Sequence, residues 1–506
     1  MTSLDRWAPP PSRVAPLVVA SIGVVLLLAG IAVGDRAVAF GAVAFLLATL
    51  VALGESYRPI LTWRSGVVLL ILVIWLIPIK KYRLPINLPF DLEPYRLLIL
   101  ALVFAWILAF ISGRVKLSAG GQRAPLVLLA VASIGALLAN IGQIADAGLQ
   151  TQSIKSLSYF LSFMLAFLLV GSVLRTYADV NAAIKALVVG GFVVGGAAIY
   201  ERQSGDNLFN HLHSWLPFLE FDGQINENIR AGRLRVRSSA QHPIALGAAL
   251  VMCLPLALYL ARAASTKARS ALWGAGAVLL LIASLATISR TVVLMLIAVA
   301  ATGVLLRRRE LLNRETLYRL SVIGLFVLVF VQIAAPGSVR TLYAAFTPQG
   351  GLIEQQQVRA GEEGSGRIAD LGPALDLWLE QPMLGRSLGT VVTRADSRSE
   401  RTAVESTGAE PGIIFDDQYL HTLVYLGIIG LVGVLWFVWG TVRKLARTAK
   451  RLHSIEGDLL VACAAACAGF GVSLAVFDAF AFVQSSLLFF VIAALGLRVR
   501  SLNTTP

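Results

Sequence analysis

About fourteen apolar runs of membrane-spanning length divide this chain of 506 residues. In a bilayer such runs form helices, because each backbone N–H and C=O group needs a hydrogen-bond partner within the hydrocarbon layer. The runs lie approximately at 16–34, 37–53, 66–79, 97–112, 126–140, 156–174, 185–200, 243–262, 271–288, 291–306, 320–335, 418–440, 458–477 and 483–497. The sequence therefore predicts an all-α polytopic membrane protein with about 12–14 transmembrane helices.

The composition favours the same fold class. Hydrophobic residues make up 57% of the chain and charged residues 14%, whereas about 25% of residues are charged in a soluble domain. Cys253, Cys463 and Cys467 fall within apolar runs, which predicts packing residues rather than a disulfide or a zinc site. The sequence contains no phosphate-binding glycine loop and no clustered metal ligands, so we expect no metal and no other cofactor.

The positions of lysine and arginine predict the orientation of the spans. Basic residues cluster in alternate loops, near 114–123, 262–269, 307–319 and 443–451, as expected of loops on the cytoplasmic side. The net charge of +14 therefore indicates contact with the bilayer, and we expect no nucleic-acid partner. With these loops inside, both termini are cytoplasmic.

The apolar and polar stretches predict four parts. Residues 1–65 hold an N-terminal cytoplasmic tail and the first two transmembrane helices, and residues 66–335 form a transmembrane core with an outer loop at 201–242. Residues 336–417 form a large extracytoplasmic loop with short helices, and residues 418–506 hold the C-terminal transmembrane helices and a cytoplasmic tail. A polar segment beside buried spans is typical of chemistry or recognition at the bilayer face.

The outer loop before the eighth apolar run ends in an arginine-rich sequence. Arg233, Arg235 and Arg237 alternate with apolar residues, and His242-Pro243 then begins a span. Guanidinium groups bind phosphate through forked, charge-assisted hydrogen bonds. The alternatives are a basic surface against lipid headgroups and, for the histidine, a structural place at the first turn of a helix, where proline is tolerated.

Ser289-Arg290-Thr291 separates two apolar runs with almost no polar loop between them. An arginine at this depth is costly unless it is paired or faces a water-filled cavity. We therefore interpret Arg290 as a functional residue. The alternative is a short outer hairpin whose arginine extends to the headgroups.

The large insert contains two further features. An amphipathic helix outside the membrane is predicted from Arg367 to Glu380. Arg367 itself follows a Ser-Gly pair. The apolar residues of this helix at helical spacing are Ile368, Leu371, Leu375 and Leu379. Pro382, Gly385 and Gly389 then predict a tight loop that brings backbone donors close to a sugar or diphosphate, or a simple helix-terminating turn.

Two adjacent carboxylates, Asp416 and Asp417, stand at the start of the span 418–440. Carboxylates at a helix N-terminus can cap the first turn and are favoured by the helix dipole. In the functional interpretation, one of them accepts the proton of an attacking hydroxyl group. His421, one turn further into the span, is the alternative base.

In order and spacing these features resemble the O-antigen ligase/polymerase superfamily, whose members are integral-membrane glycosyltransferases acting on lipid-linked glycans at the outer face of the inner membrane. The resemblance covers roughly residues 80–500. It is carried by the arginine-rich loop before His-Pro, the Ser-Arg between spans, and Ser-Gly-Arg with Pro-x-x-Gly-x-x-x-Gly in the insert. It ends with Tyr-Leu at a span start, followed by Gly-x-x-Gly-Leu.

Two departures bear on the reaction. Pro243-Ile244 stands where the family commonly has Pro-Asn, and Asp416-Asp417 stand where ligases usually have His-Asn, in the register set by the following Tyr-Leu. With aspartate in place of this histidine, the chain resembles more closely the polymerase side of the superfamily, which makes exopolysaccharide, capsule or O-antigen chains. His421 does not occupy the family position.

The resemblance implies a glycan polymerase or ligase of the bacterial cytoplasmic (inner) membrane. It would transfer an oligosaccharide from a polyprenyl-diphosphate donor to a sugar hydroxyl of an acceptor glycan, without a metal, in surface polysaccharide biosynthesis. Its expected partners are these two substrates, the lipid bilayer and other polysaccharide assembly proteins. The alternatives are an O-antigen ligase proper, a flippase for lipid-linked oligosaccharides and a non-catalytic member of an envelope assembly.

The resemblance and the chemistry together assign roles to the polar residues. Arginines would stabilise the negative charge on the departing diphosphate, and a carboxylate would orient or deprotonate the attacking hydroxyl. The expected catalytic residues are Asp416, Arg290, Arg235 and Arg237. The expected substrate-binding residues are Arg233, His242, Arg367, Asp417 and His421.

Overall fold

The computed structural model describes residues 62–85, 93–216, 218–223, 229–230, 233–311, 371–390 and 417–504, with five single positions between 324 and 337. The predicted spans 16–34 and 37–53 and nearly all of 320–335 lie outside these residues, as do Arg367 and Asp416. The division into four parts therefore stays a prediction.

Helices account for nearly all regular structure in the described residues. They are α1 (Trp63–Leu76), α2 (Pro94–Ile111), α3 (Arg123–Ala139), α4 (Ile141–Asp146), α5 (Gln150–Val173), α6 (Tyr177–Ser204), α7 (Leu212–Trp215), α8 (Pro243–Arg262), α9 (Lys267–Ala286), α10 (Arg290–Leu311), α11 (Leu371–Glu380), α12 (Gln418–Ala449), α13 (Ile455–Ser473) and α14 (Val483–Thr504). Two short 3-10 helices, Leu208–Asn210 and Ala479–Ala481, lie in loops. The strands are β1 (Tyr82–Arg83), β2 (Glu220–Phe221), β3 (Ile229–Arg230) and β4 (Arg233–Leu234).

Among the described residues, nine helices are long and apolar enough to cross a membrane: α2, α5, α6, α8, α9, α10, α12, α13 and α14. Helices α1 and α3 are apolar but shorter. The predicted all-α polytopic fold class is confirmed.

Capping residues set the starts of several helices. Thr62 begins α1 and Thr176 begins α6, each through a reciprocal capping box with the residue three positions on. Pro243 occupies the first position of α8, where a backbone N–H would have no partner within the helix, so proline costs no hydrogen bond there.

Three helices, α8, α13 and α14, lie at the centre of the bundle. Between 72% and 78% of the residues in their most apolar segments are buried, as expected of helices that are apolar on every side. Phe470 of α13 stacks on Phe489 of α14 with ring centroids 4.3 Å apart. Cys253, Cys463 and Cys467 are free and buried in this centre, so their prediction as packing residues is confirmed.

The basic loops meet at one end of the bundle, which we call the basic end. Arg307 donates a hydrogen bond to the carbonyl oxygen of Ala449 at 3.0 Å and forms an ion pair with Asp458 at 3.4 Å. Lys444 donates to Oε1 of Gln122 at 3.0 Å. These contacts join three of the basic clusters that the sequence analysis assigns to cytoplasmic loops.

The opposite end, which we call the loop end, holds the described parts of the loops 77–93 and 205–242 and the loops 287–289, 381–390 and 474–482. Strand β1 pairs with β2 there, with Tyr82 opposite Phe221. The Tyr82 hydroxyl donates to the carbonyl oxygen of Phe209 at 2.9 Å. The first two of these loops are thereby fixed against each other.

Helix α11 forms within the predicted amphipathic stretch, over the part that the structure describes. Ala374 and Leu377 pack against Val424 and Tyr425 of α12. The leucines that identified the helix face elsewhere: Leu371, Leu375 and Leu379 are 45%, 37% and 64% exposed. Protein contact is therefore made through the face that carries Ala374 and Leu377.

Candidate functional site

One of the predicted arginines contacts the turn between α9 and α10, and a second begins α10 directly after it. The Nε of Arg235 donates to the carbonyl oxygen of Thr287 at 3.1 Å. Arg290, half-buried, begins α10 three residues later. The arginine-rich loop and the Ser-Arg turn are therefore parts of one cluster at the loop end.

The turn itself adopts a rare backbone conformation. Ile288 has a φ of 49° and is fully buried, although a β-branched side chain strongly disfavours positive φ. The other described non-glycine residues with positive φ are Lys80, Ser238 and Ser387. All four lie in separate loops at the loop end. Strained backbone of this kind persists only where surrounding contacts fix it, and it is common at functional sites.

Glu201, near the end of α6, fixes the arginine-rich loop. Its carboxylate accepts hydrogen bonds from the backbone N–H groups of Arg237 at 3.2 Å and Ser238 at 2.7 Å. Asn207 donates to the carbonyl oxygen of Ser238 at 2.9 Å. Glu201 is not apparent as a site residue from the sequence, where its only signal is a carboxylate at the end of a long apolar helix. Arg237 itself is only 8% exposed.

His242 caps α8. Its Nδ1 accepts a hydrogen bond from the Ile244 N–H at 3.2 Å, and its ring lies 5.5 Å from that of Phe482. The structure therefore contains the contact expected if His242 has a structural place at the first turn of the helix.

We expect His242→Asn to leave thermal stability unchanged, because asparagine is a strong N-cap residue. His242→Ala should lower the free energy of unfolding by about 1 kcal/mol. Thermal unfolding of the purified variants in one detergent measures both. Equal losses in the two variants would contradict a capping role, and lost activity in a stable His242→Asn variant would indicate substrate contact.

The turn between α13 and α14 links the arginine-rich loop to the start of α12. The Val483 N–H donates to Oε1 of Gln241 at 3.1 Å, and the Phe480 N–H donates to Oε1 of Gln418 at 2.6 Å. Both glutamines are buried. Sequence reasoning missed them because an amide in an apolar context identifies no partner by itself.

Asp417 is the N-cap of α12. Its carboxylate accepts from the N–H groups of Tyr419 at 2.7 Å and Leu420 at 3.2 Å. The ring of His421 lies 4.4 Å from that of Tyr425. Of the remaining candidates, Asp416 and Arg367 lie outside the described residues. Arg233 belongs to β4, opposite Arg230.

Helix α12 is bent back on itself at Gly427, whose φ of 63° and ψ of −169° are not helical. The Tyr419 hydroxyl donates to the carbonyl oxygen of Gly471 at 2.8 Å. A Cβ on Gly471 would lie 2.8 Å from Cγ1 of Val438, so Val438 also lies beside Gly471. A straight helix would hold Tyr419 and Val438 about 28 Å apart, which is too far for both side chains to contact one glycine.

Helix α12 therefore has a short arm, 418–426, and a long arm, 428–449. This corrects the predicted span 418–440, which treats both arms as one straight crossing. The physical reason is that hydropathy registers apolar residues but not a glycine with positive φ. Broken helices are tolerated at membrane depth where other protein groups satisfy the freed backbone.

The predicted tight loop of the insert, residues 382–389, which we call the glycine loop, provides those groups. The N–H groups of Arg386 and Ser387 donate to the carbonyl oxygens of Val424 and Tyr425, each at 3.0 Å. The Ile428 N–H in turn donates to the carbonyl oxygen of Pro382 at 2.9 Å. These two backbone donors, which belong to the loop predicted to approach a sugar or diphosphate, are thus used within the protein.

Close approach explains why glycines occupy this contact. A Cβ on Gly385 would lie 2.6 Å from the backbone nitrogen of Gly427, and a Cβ on Gly427 would lie 2.2 Å from the carbonyl oxygen of Met383. Both distances are too short for any side chain. Asn140, at the end of α3, also donates to the carbonyl oxygen of Gly385 at 2.9 Å.

The loop end also holds a second charged group, around Glu93, that no sequence motif indicates. The Glu93 carboxylate accepts from the Lys80 N–H at 2.7 Å and pairs with Arg96 at 3.1 Å. The Arg96 guanidinium lies 4.4 Å from the ring centroid of Tyr159. Burial raises the pKa of the Glu93 carboxyl, and the positive charge of Arg96 opposes that rise.

Residues 275–435 match the family model described as O-antigen ligase. The chain carries an O-antigen ligase domain. The resemblance to the O-antigen ligase/polymerase superfamily is confirmed, and the match supports glycosyltransferase activity of the ligase/polymerase type in general. No curated protein gives a significant match to the chain.

The ligase domain contains the Ser-Arg turn, the glycine loop and the whole bend of α12. The arginine-rich loop precedes the domain in sequence, yet its Arg235 contacts Thr287 within it. The candidate site therefore combines the ligase domain with a loop from the preceding part of the chain. Among the described residues, no group of three or more His, Cys, Asp or Glu side chains could hold a metal ion.

Proposed function

We propose that the protein transfers an oligosaccharide from a polyprenyl-diphosphate donor to a sugar hydroxyl group of an acceptor glycan. The observation that carries this proposal is the contact of Arg235 with the turn that precedes Arg290. Arg235 and Arg290, from distant parts of the chain, thus stand at one turn of the loop end, the first through its side chain and the second through its place in the sequence. Such a pair suits a diphosphate, which accepts several charge-assisted hydrogen bonds.

The proposed reaction is a single displacement. The acceptor oxygen forms a bond to the anomeric carbon of the donor sugar, and the bond from that carbon to the diphosphate oxygen breaks. The diphosphate leaves with the electron pair, and Arg235, Arg237 and Arg290 stabilise its developing charge. The acceptor proton passes to a carboxylate, for which Asp416 is our candidate.

The proposed orientation places the loop end outside the cytoplasmic membrane of a bacterium. Arg262, Arg307, Arg443 and Arg447 lie at the basic end, and such clusters remain on the cytoplasmic side. Both termini are then cytoplasmic. The lipid tail of the donor would lie in the bilayer, with its sugars at the loop end.

The polymerase is the favoured form of this activity. Asp416-Asp417 stand where ligases of this superfamily usually have His-Asn. In the structure Asp417 is engaged as the helix cap, which leaves Asp416 as the carboxylate for proton transfer. Surface polysaccharide synthesis, rather than transfer to a lipid A core, is the corresponding process.

Purified protein in liposomes with a defined polyprenyl-diphosphate oligosaccharide tests the proposal. Lengthened glycan, resolved on a gel, together with released polyprenyl diphosphate, is the expected result. Movement of the substrate between leaflets without new glycosidic bonds would instead identify a flippase. Binding of other envelope proteins without either reaction would identify a non-catalytic assembly component.

Asp416→Asn should lower the transfer rate by about 10²–10⁴-fold, the usual contribution of a positioned base. Asp417→Asn is the matched control, because asparagine keeps the cap and the volume is unchanged. It should retain nearly wild-type transfer. The rates come from initial product formation on the same gels, and similar rates for the two variants would remove Asp416 from the mechanism.

A further inference from the structure

An open groove of about 620 Å³ runs along the long arm of α12. Its lining changes in character along the helix, from Val432, Leu435 and Trp436 to Arg443 and Arg447. Residues at these spacings lie on one face of a helix. The groove therefore has an apolar part within the span and a cationic part at the basic end.

The cations of the groove differ in their protein contacts. Lys444 donates to Oε1 of Gln122 and to the carbonyl oxygen of Gly121, which holds it at the edge of α3. Arg443 and Arg447 are exposed and form no ion pair or hydrogen bond with any described residue. They are one helical turn apart, so one phosphate group can accept from both guanidinium groups.

Helix α12 and two of the helices that pack on it lack acidic residues. Helices α3, α12 and α14 contain no Asp or Glu. Helix α13, which also packs on α12, carries Glu456 and Asp458, and Asp458 pairs with Arg262 and Arg307, each at 3.4 Å. The charge of the groove is thus uncompensated by these helices, and an anionic ligand would complement it.

The dimensions of the groove match one leaflet of a bilayer. Val432 lies about 16 Å from Arg443 along the helix axis, at about 1.5 Å per residue. Half of a hydrocarbon core is about 15 Å thick. Trp436 and Trp439 lie between these levels and are 49% and 39% exposed. Exposed tryptophans near basic residues are typical of the boundary between hydrocarbon and headgroups.

We propose that this groove binds one anionic phospholipid from the leaflet at the basic end. The phosphate lies between Arg443 and Arg447, beside Lys444, and an acyl chain follows the apolar part toward Val432. Orientation by positive charge explains the cations alone. It does not account for a concave surface of leaflet depth that joins them to two exposed tryptophans.

Native mass spectrometry of the full-length protein, with phosphatidylglycerol or zwitterionic phosphatidylethanolamine added, tests this site. Wild type should retain one phosphatidylglycerol under conditions that remove phosphatidylethanolamine. Arg443→Gln together with Arg447→Gln should weaken phosphatidylglycerol binding about 30-fold, the effect of two surface cations on an anionic lipid. None of these residues belongs to the proposed catalytic site.

The matched control is Lys267→Gln together with Arg269→Gln, which removes two exposed cations at the same end of the bundle but outside the groove. This variant should bind phosphatidylglycerol as wild type does, and thermal unfolding should show that both double variants are folded. Equal weakening in the two variants would overturn the proposal, as would equal retention of both lipids by wild type. Failure of wild type to bind phosphatidylglycerol would also overturn it. Preferential displacement by polyprenyl phosphate would assign the groove to the carrier lipid.

Discussion

Arg290→Ala should reduce glycan transfer by about 10²–10³-fold while the protein remains folded. This is the usual cost of removing one donor that stabilises charge in a transition state, about 2.7–4 kcal/mol. The physical reason is that Arg290 stands at the turn contacted by Arg235, where we place the departing diphosphate. Initial rates at saturating donor measure the effect, and thermal unfolding checks the fold.

Arg83→Ala is the matched control for this experiment. Arg83 also lies at the loop end, but its Nε pairs with Glu220 at 3.1 Å, and both side chains are partly exposed. Its removal should leave transfer nearly unchanged, since exposed pairs contribute about 0–1 kcal/mol. Arg290→Lys keeps the charge but loses the planar fork, so an intermediate rate is expected. Wild-type turnover by Arg290→Ala would exclude this arginine from catalysis.

Gly427→Ala should lower the free energy of unfolding by about 4 kcal/mol or more, or prevent folding. A Cβ there would meet the carbonyl oxygen of Met383 at 2.2 Å. The φ of 63° with a ψ of −169° is also a conformation that essentially only glycine adopts. The change in midpoint of thermal unfolding in detergent measures the loss.

Gly274→Ala provides the control for a glycine in a membrane helix. No atom lies within 4 Å of the position that its Cβ would take, and α9 is helical there. This variant should be stabilised by about 0.5–1 kcal/mol, because alanine loses less backbone entropy in a helix. A Gly427→Ala protein as stable as Gly274→Ala would show that the bend of α12 does not require glycine.

Much of the fold could be predicted because spans are set by local composition. Apolar runs located every helix that crosses the bundle in the described residues, and His242-Pro243 marked the start of α8. The bend of α12 could not be found in this way. Gly427 lies in a continuous apolar run, and only the glycine loop that contacts it, far along the chain, explains its conformation.

The candidate site was predictable in its parts but not in its connections. Arg235 and Arg290 were both selected from sequence, yet the hydrogen bond to Thr287 that relates them depends on tertiary packing. Glu201 and Gln241 have no distinctive sequence pattern. Each fixes a distant loop or turn by accepting a hydrogen bond from its backbone N–H group, Glu201 from Ser238 and Gln241 from Val483.

The dependence of α12 on the glycine loop has a consequence for biogenesis. Residues 382–387 leave the ribosome before α12, and their backbone groups complete the hydrogen bonding of its two arms. In the proposed orientation the preceding polar segment must therefore be translocated before the last three membrane helices can reach their final arrangement. A chain stalled at that step would expose the incomplete arms of α12 to quality-control proteases. Translocation of the polar segment and maturation of the last three membrane helices are therefore coupled.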